Sequence, residues 1–410
     1  MTESPVAEVL SIGDEMTGGA RVDTNTAWIS RRLEDMGIEV AFHTTVGDDL
    51  DRHADVLRIA AKRADVLVST GGLGPTQDDL TRQAIAAAAE TDLVFDAESM
   101  RHVESIFAAR GRSMPESNRI QAMFPRGSRP IFNPQGTAPG VDASLMTPAG
   151  DTIRVFALPG VPAEMKTMFD QSVAPELAAW NGRRHIRSRV LKFFGTGESE
   201  MERRLGDLIR RGRQPRVGIT VSSATISLRI TSIAASIGEA DQLVEASARD
   251  ILDRVGELCF GEGESYEQQD AVLDRLRQRG QSLSTVELGA AAPLVSWFAA
   301  LGDAQHFRGG NHYLSRAAWI DCETCDGLDP AIRQVKARHR ADWLLLVDRY
   351  PQLPDDPNAK LPIADIKLIV VSPDGVMHER VESIGGHPDI LQARIAKSAL
   401  AWLREKLRNQ

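Results

Sequence analysis

The run Ser69-Thr70-Gly71-Gly72-Leu73-Gly74-Pro75-Thr76-Gln77-Asp78-Asp79-Leu80-Thr81-Arg82 constrains the fold more than any other stretch of the chain. The apolar Val66-Leu67-Val68 before it reads as a buried strand, and the residues from Leu80 onward read as a helix. Glycines between a strand and a helix let the backbone approach a ligand with its N–H groups unshielded. The first helical turn adds unpaired N–H groups and a partial positive charge, which suits an anion such as phosphate. Asp78 and Asp79 would repel that anion unless a hard cation lies between, so the pair points to magnesium or manganese. The same residue types also make ordinary connections, since glycine-rich turns are common and an aspartate before a helix caps it. The run has neither the Gly-Lys-Ser/Thr of a Walker A loop nor the Gly-x-Gly-x-x-Gly of a dinucleotide site.

Residues 5–172 repeat the alternation. Ala7–Ile12, Val40–Val46 and Val66–Ser69 are predicted strands; Thr24–Met36, Asp49–Arg63 and Leu80–Glu90 are predicted helices. In the helix from Asp49 the inner face is predicted at Val56, Leu57, Ile59 and Ala60. This order implies an α/β domain whose parallel sheet is covered on both sides. Ligands of such sheets bind outside the carboxyl ends of the strands. The loops Gly13–Thr17, Val46–Asp49 and Gly71–Asp79 should therefore meet on one edge. Two more turn-rich segments, Asn133–Gly140 and Phe156–Pro162, read as loops of the same edge, with Glu164 and Met165 opening a helix after the second.

The chain has 410 residues, enough for two or three domains. Its net charge of −9 argues against nucleic acid or an anionic membrane as the partner. No stretch reads as a signal peptide or bilayer span, and three cysteines fit the cytoplasm. Cys322 and Cys325 form one Cys-x-x-Cys without two further ligands at zinc spacing, so they read as ordinary thiols.

Pro175–Arg187 reads as a boundary. Residues 188–262 form a small α+β module: strands at Val190–Phe194, Gly218–Thr220 and Thr225–Thr231, and helices at Glu198–Arg210 and Ala240–Val255. It has no Gly-x-x-Gly clamp with basic flanks, so RNA binding has no support there. A third unit, 266–410, mixes helices (Ala271–Arg279, Ala290–Leu301, Ile390–Leu407) with strands (Leu283–Leu288, Trp343–Val347, Ile366–Val371). Tyr350–Pro362 is predicted to be a proline-rich loop.

Several ordered motifs carry a resemblance. They are Ile12-Gly13-Asp14-Glu15, Asp23-Thr24-Asn25, Val46-Gly47-Asp48-Asp49, Thr70–Thr81, Asn118–Ala122, Asn133 to Gly140, and Leu158-Pro159-Gly160-Val161-Pro162 with Glu164-Met165. Through them residues 1–174 resemble the three-layer α/β/α molybdopterin-binding-like domain of MoaB, MogA and gephyrin, in the version carried by CinA proteins. Phe193–Ser199 makes residues 188–262 similar to the KH-type module of that family. Residues 266–410 stand where the family carries a nicotinamide mononucleotide deamidase. The family's deamidase motif is similar to Ala-Glu-Ser-Cys-Thr-Gly-Gly, but here the stretch is Val286-Glu287-Leu288-Gly289-Ala290-Ala291-Ala292. Leucine cannot attack an amide or carry a proton, so the third unit is expected to keep the fold without the activity.

The resemblance implies metal-dependent hydrolysis of ADP-ribose to AMP and ribose 5-phosphate by the first domain. A divalent cation (Mg, Mn or Co) is expected on Asp78 and Asp79. Asp48 and Glu15 are candidates for a further carboxylate contact or a general base, although Asp48 alternatively caps the helix at Asp49. Gly71, Gly72 and Gly74 would cradle the diphosphate. Thr76, Asn25, Asn133, Gly136, Thr137, Pro159, Gly160 and Glu164 would shape the rest of the pocket, Glu164 alternatively serving only the dipole of its helix. The expected partner is a small nucleotide, and the expected assembly a homodimer. The competing reading is a module that binds molybdopterin or a nucleotide without hydrolysing it.

Overall fold

The computed structural model describes residues 5–146, 150–180, 185–210, 212–323, 325–354, 356 and 361–408. The chain forms two compact units, Met1–Arg187 with Ile233–Ala240, and Ser188–Ser232 with Asp241–Gln410. Among the described residues no helix is long and apolar enough to cross a membrane.

The strands of the first unit are β1 (Val6–Ile12), β2 (Glu39–Val46), β3 (Val66–Thr70), β4 (Leu93–Phe95), β5 (Met123–Pro125), β6 (Arg129–Ile131), β7 (Gly140–Met146) and β8 (Thr152–Leu158). Its helices are α1 (Asp14–Thr17), α2 (Thr24–Asp35), α3 (Leu50–Ala61), α4 (Thr81–Ala88), α5 (Ala97–Ala109), α6 (Pro162–Met168) and α7 (Ala174–Trp180). The main sheet runs β2-β1-β3-β8-β7-β6, and β4 pairs with β5 separately. Alternation sorts the central strands between two cores. Leu10, Ile12 and Leu67 pack with Ala54, Leu57 and Ala60 of α3 and Ala84 and Ile85 of α4. Val9, Val66 and Val68 pack with Ile29 and Leu33 of α2 and Met165 and Met168 of α6. This gives the three α/β/α layers.

Two expectations change. The sheet is not wholly parallel: β2, β1, β3 and β8 are, but β7 runs antiparallel to β8 and β6 antiparallel to β7. A helical crossover is needed only where the chain returns in the same direction, and β7 reaches β8 without one. In α3 the buried face is His53, Ala54, Leu57, Ala60 and Ala61, while Ile59 is 48% exposed. The 53–57–60 spacing follows the helical period better than the run of apolar letters does.

In the second unit, β9 (His185–Phe193), β10 (Arg216–Ser222), β11 (Thr225–Ala234) and β12 (Cys259–Glu262) form a sheet in the order β10-β11-β9-β12. Helices α8 (Glu198–Leu205) and α9 (Ile237–Val255) accompany it. The helix predicted to Arg210 stops at Leu205, where Gly206 takes φ 53° and a 3₁₀ turn follows. The next sheet runs β14 (Phe307–Tyr313), β13 (Leu283–Gly289), β15 (Trp343–Tyr350), β16 (Leu361–Val371), β17 (Met377–Gly386). One face is covered by α10 (Gln268–Arg279), α11 (Pro293–Ala300) and α14 (Pro388–Arg408), the other by α12 (Arg316–Glu323) and α13 (Leu328–His339). α11 begins at Pro293 rather than Ala290, because Ala290 still donates its N–H to Tyr350 O and proline favours the first helical position. The predicted 350–362 loop is shorter than expected, since β15 includes Tyr350 and β16 opens at Leu361; residues 355 and 357–360 lie outside the described residues.

Candidate functional site

The carboxyl ends of β1, β2, β3 and β8 open into a cleft of about 640 Å³, within the range usual for small-molecule sites. Its walls include Glu15, Asn25, Asp48, Gly71, Gly72, Gly74, Asp78, Asp79, Thr137, Pro159, Gly160 and Glu164. The predicted loops therefore meet on one edge. Thr76, Asn133 and Gly136 do not line the cleft and instead hold residues that do.

The glycine run is fixed by what lies behind it. Gly71 has φ 110°, and a Cβ there would sit 2.5 Å from Ile12 O. Gly72 has φ 64° and lies against the Thr81 hydroxyl. Side chains at either position would meet both a steric and a conformational penalty. Gly71 N–H donates to Leu158 O at 3.0 Å, so it is not available to a ligand. The N–H groups of Gly72 and Gly74 have no acceptor among the described residues, which leaves them as the usable donors. Thr81 donates its N–H to Gly72 O (3.1 Å) and its hydroxyl to Gly71 O (2.9 Å), closing the turn.

The two aspartates after the glycines differ. Asp79 Oδ2 accepts from Thr76 N at 2.9 Å and from the Thr76 hydroxyl, leaving Oδ1 uncommitted. The Asp79 side chain does not cap α4, whose N-cap residue is Leu80, a side chain that makes no cap bond. Asp78 is exposed.

Asp48 is not the cap of α3; Asp49 is, accepting from Arg52 N at 2.9 Å. Asp48 instead pairs with Asp14. Asp14 N donates to Asp48 Oδ2 (3.0 Å), and Asp48 N donates to Asp14 Oδ1 (3.1 Å). The exchange follows from register, since Ile12 pairs with Val46 in parallel strands and each is followed by Gly-Asp. Burial first, then the charges of Asp14, Asp78 and Glu15, push the Asp48 carboxyl above the ordinary aspartate value, against the opposing Asp14 N–H.

On the far wall Asn133 is fully buried. Its Nδ2 donates to Glu164 Oε2 at 2.7 Å and to Ala138 O at 3.0 Å. Gly136 lies against the same Glu164 carboxylate, where a Cβ would collide. Asn25 Nδ2 bridges Thr70 Oγ1 (3.2 Å) and Gly160 O (2.8 Å), tying α2 to the ends of β3 and β8.

Arg82 was not among the expected residues. It is 1% exposed. It donates to Leu73 O (2.9 Å) and Pro139 O (2.8 Å), so one guanidinium joins the glycine run to the 133–140 loop. Burial lowers it to about 10, partly offset by Asp79. Its sequence neighbours Thr81 and Gln83 are polar, so nothing local in the sequence marks Arg82 as buried.

Six carboxylates (Glu15, Asp23, Asp48, Asp78, Asp79, Glu164) line the cleft beside unshielded amides. That donor set fits a hard divalent cation chemically. Among the described residues, however, no three His, Cys, Asp or Glu side chains form a preassembled metal cluster.

The family described as "Probable molybdopterin binding domain" matches residues 8–179, and that described as "Damage-inducible protein CinA KH domain" matches residues 188–261. A CinA-like protein of Dictyoglomus turgidum is 40% identical over 280 residues, covering 68% of this chain and 66% of the relative. A solved CinA structure of unknown function from Thermoplasma acidophilum covers 43% of this chain and 98% of its own, at 32% identity and TM-score 0.38. A CinA-like protein of Crocosphaera subtropica is 33% identical over 419 residues, covering 98% of this chain and 99% of the relative. With similarity extending over nearly the full length of both chains, the protein belongs to the CinA-like family.

Proposed function

We propose that the cleft of the first unit hydrolyses a nucleoside diphosphate sugar such as ADP-ribose in the presence of a divalent cation. The observation that carries this reading is the meeting of free Gly72 and Gly74 amides with six carboxylates in one cleft. The amides suit phosphate and the acids repel it, so the pairing is productive only with a cation between them. Asp78 and Asp79 would hold Mg²⁺, Mn²⁺ or Co²⁺; Asp79 keeps one carboxylate oxygen free of Thr76. The ion supplies charge neutralisation at the phosphates when bound. Asp48, raised by burial and then by the neighbouring carboxylates, takes the proton of the attacking water. The new P–O bond forms as the bridging P–O bond breaks, and the electron pair leaves on the departing phosphate, giving AMP and ribose 5-phosphate. Asn133 and Asn25 position the walls through Glu164 and Gly160.

The second reading, binding of molybdopterin or a nucleotide without hydrolysis, is favoured by the lack of a preassembled metal cluster among the described residues and by the first family's description. Incubation of the full chain with ADP-ribose and each metal separates the two. AMP should appear with at least one metal and vanish with a chelator. No AMP with any metal, together with retained molybdopterin binding, would transfer the assignment to the second reading.

In the second unit, loss of deamidase activity is supported by packing. Leu288 is 1% exposed and joins fully buried Trp319 in one apolar core, so carbon fills the place where the family motif carries its nucleophile.

A further inference from the structure

With the six carboxylates that line the cleft stands one guanidinium. Arg21 is the only basic side chain among the described lining residues. It is exposed, and no hydrogen bond or ion pair engages its side chain among the described residues. Arg63 and Arg82, by contrast, are spent on the protein: Arg63 on Glu8 at 2.7 Å, Arg82 on Leu73 O and Pro139 O. The backbone of Arg21 is held, its N–H donating to Glu15 O at 3.2 Å, so the side chain projects from a fixed point on the loop that also carries Glu15. Fixed backbone and uncommitted fork, on the wall of a cleft rich in carboxylates, describe a group kept for a third partner. A planar fork of N–H donors matches two oxygens of one phosphate.

We infer that Arg21 is a specificity-determining residue that takes the phosphate not covered by the Gly72 and Gly74 amides and their cation. The ligand class is thereby narrowed to compounds with two linked phosphates. A monophosphate satisfies one end only, so Arg21 favours the intact diphosphate over its AMP product. This rests on the phosphate ligand proposed above but not on hydrolysis.

The test compares full-length wild type, Arg21→Gln and Arg21→Lys with ADP-ribose and Mn²⁺. In Arg21→Gln, KM should rise about 10- to 100-fold, the size of a lost charge-assisted contact, with kcat within about threefold. Arg21→Lys should be intermediate, because charge is kept and the fork lost. Inhibition by AMP should change less than threefold, roughly the noise of such comparisons. An unchanged KM, or an AMP effect as large as the KM effect, would overturn the inference. If wild type turns over nothing, calorimetric ADP-ribose binding decides it: weakening in Arg21→Gln sustains Arg21 while hydrolysis fails, and equal affinity or no binding by wild type sinks it.

Discussion

Asp48 on the cleft wall and the buried Arg82 carry opposite lessons about burial. Asp48 is raised by burial and by Asp14, Asp78 and Glu15, so ionising it works against the folded state as pH rises through its elevated value. Asp48→Asn is therefore expected to keep or improve stability at neutral pH while lowering kcat about 10²- to 10⁴-fold, the usual range for a lost general base. NMR titration checks the cause: the Asp48 carboxyl should titrate above 3.8, and move down in Asp78→Asn, which removes one like charge. Arg82 is the reverse case, a buried charge kept because two loop carbonyls need it. Arg82→Met strands Leu73 O and Pro139 O, and denaturant unfolding should show a loss of about 2–4 kcal/mol. Lysine should not restore it, since one ammonium does not reproduce the fork across both carbonyls.

At the scale of elements, the strand-end turns were legible because their chemistry is local. Gly13-Asp14 and Gly47-Asp48 could be placed on one edge from strand periodicity alone. Their reciprocal hydrogen bonds could not, because these depend on the β1–β2 register. Thr76 and Asn133 stand in the same motifs yet do not line the cleft, because motif position does not reveal which way a side chain turns. In α3, His53 is buried with Nε2 unpartnered, and burial lowers it to about 4 from 6.5. Because the unfolded chain takes up the proton first, stability should fall as pH drops from 6.5 towards 4, by about 1.4 kcal/mol per unit. Urea unfolding at pH 5 and 7 should show this slope, and His53→Leu should flatten it. An identical slope in the variant would clear His53 of the effect.

For the molecule as a whole, the consequence concerns division of labour. If the first unit carries the chemistry and the second only its fold, purified protein with nicotinamide mononucleotide should release no ammonia in a coupled assay. Robust release would refute the argument from Leu288 and Trp319. The amino-acid sequence alone determined the α/β alternation of residues 5–172, the shared edge of the loops and the missing serine. Periodicity, turn chemistry and residue identity are local properties that survive in a one-dimensional string. Only the tertiary structure decided the antiparallel β7 and β6, the spent amide of Gly71, the buried bridge of Arg82 and an Arg21 side chain without a partner among the described residues. Each depends on what a distant segment does with its hydrogen bonds and charges, and pairings between remote residues exist only once the chain has closed upon itself.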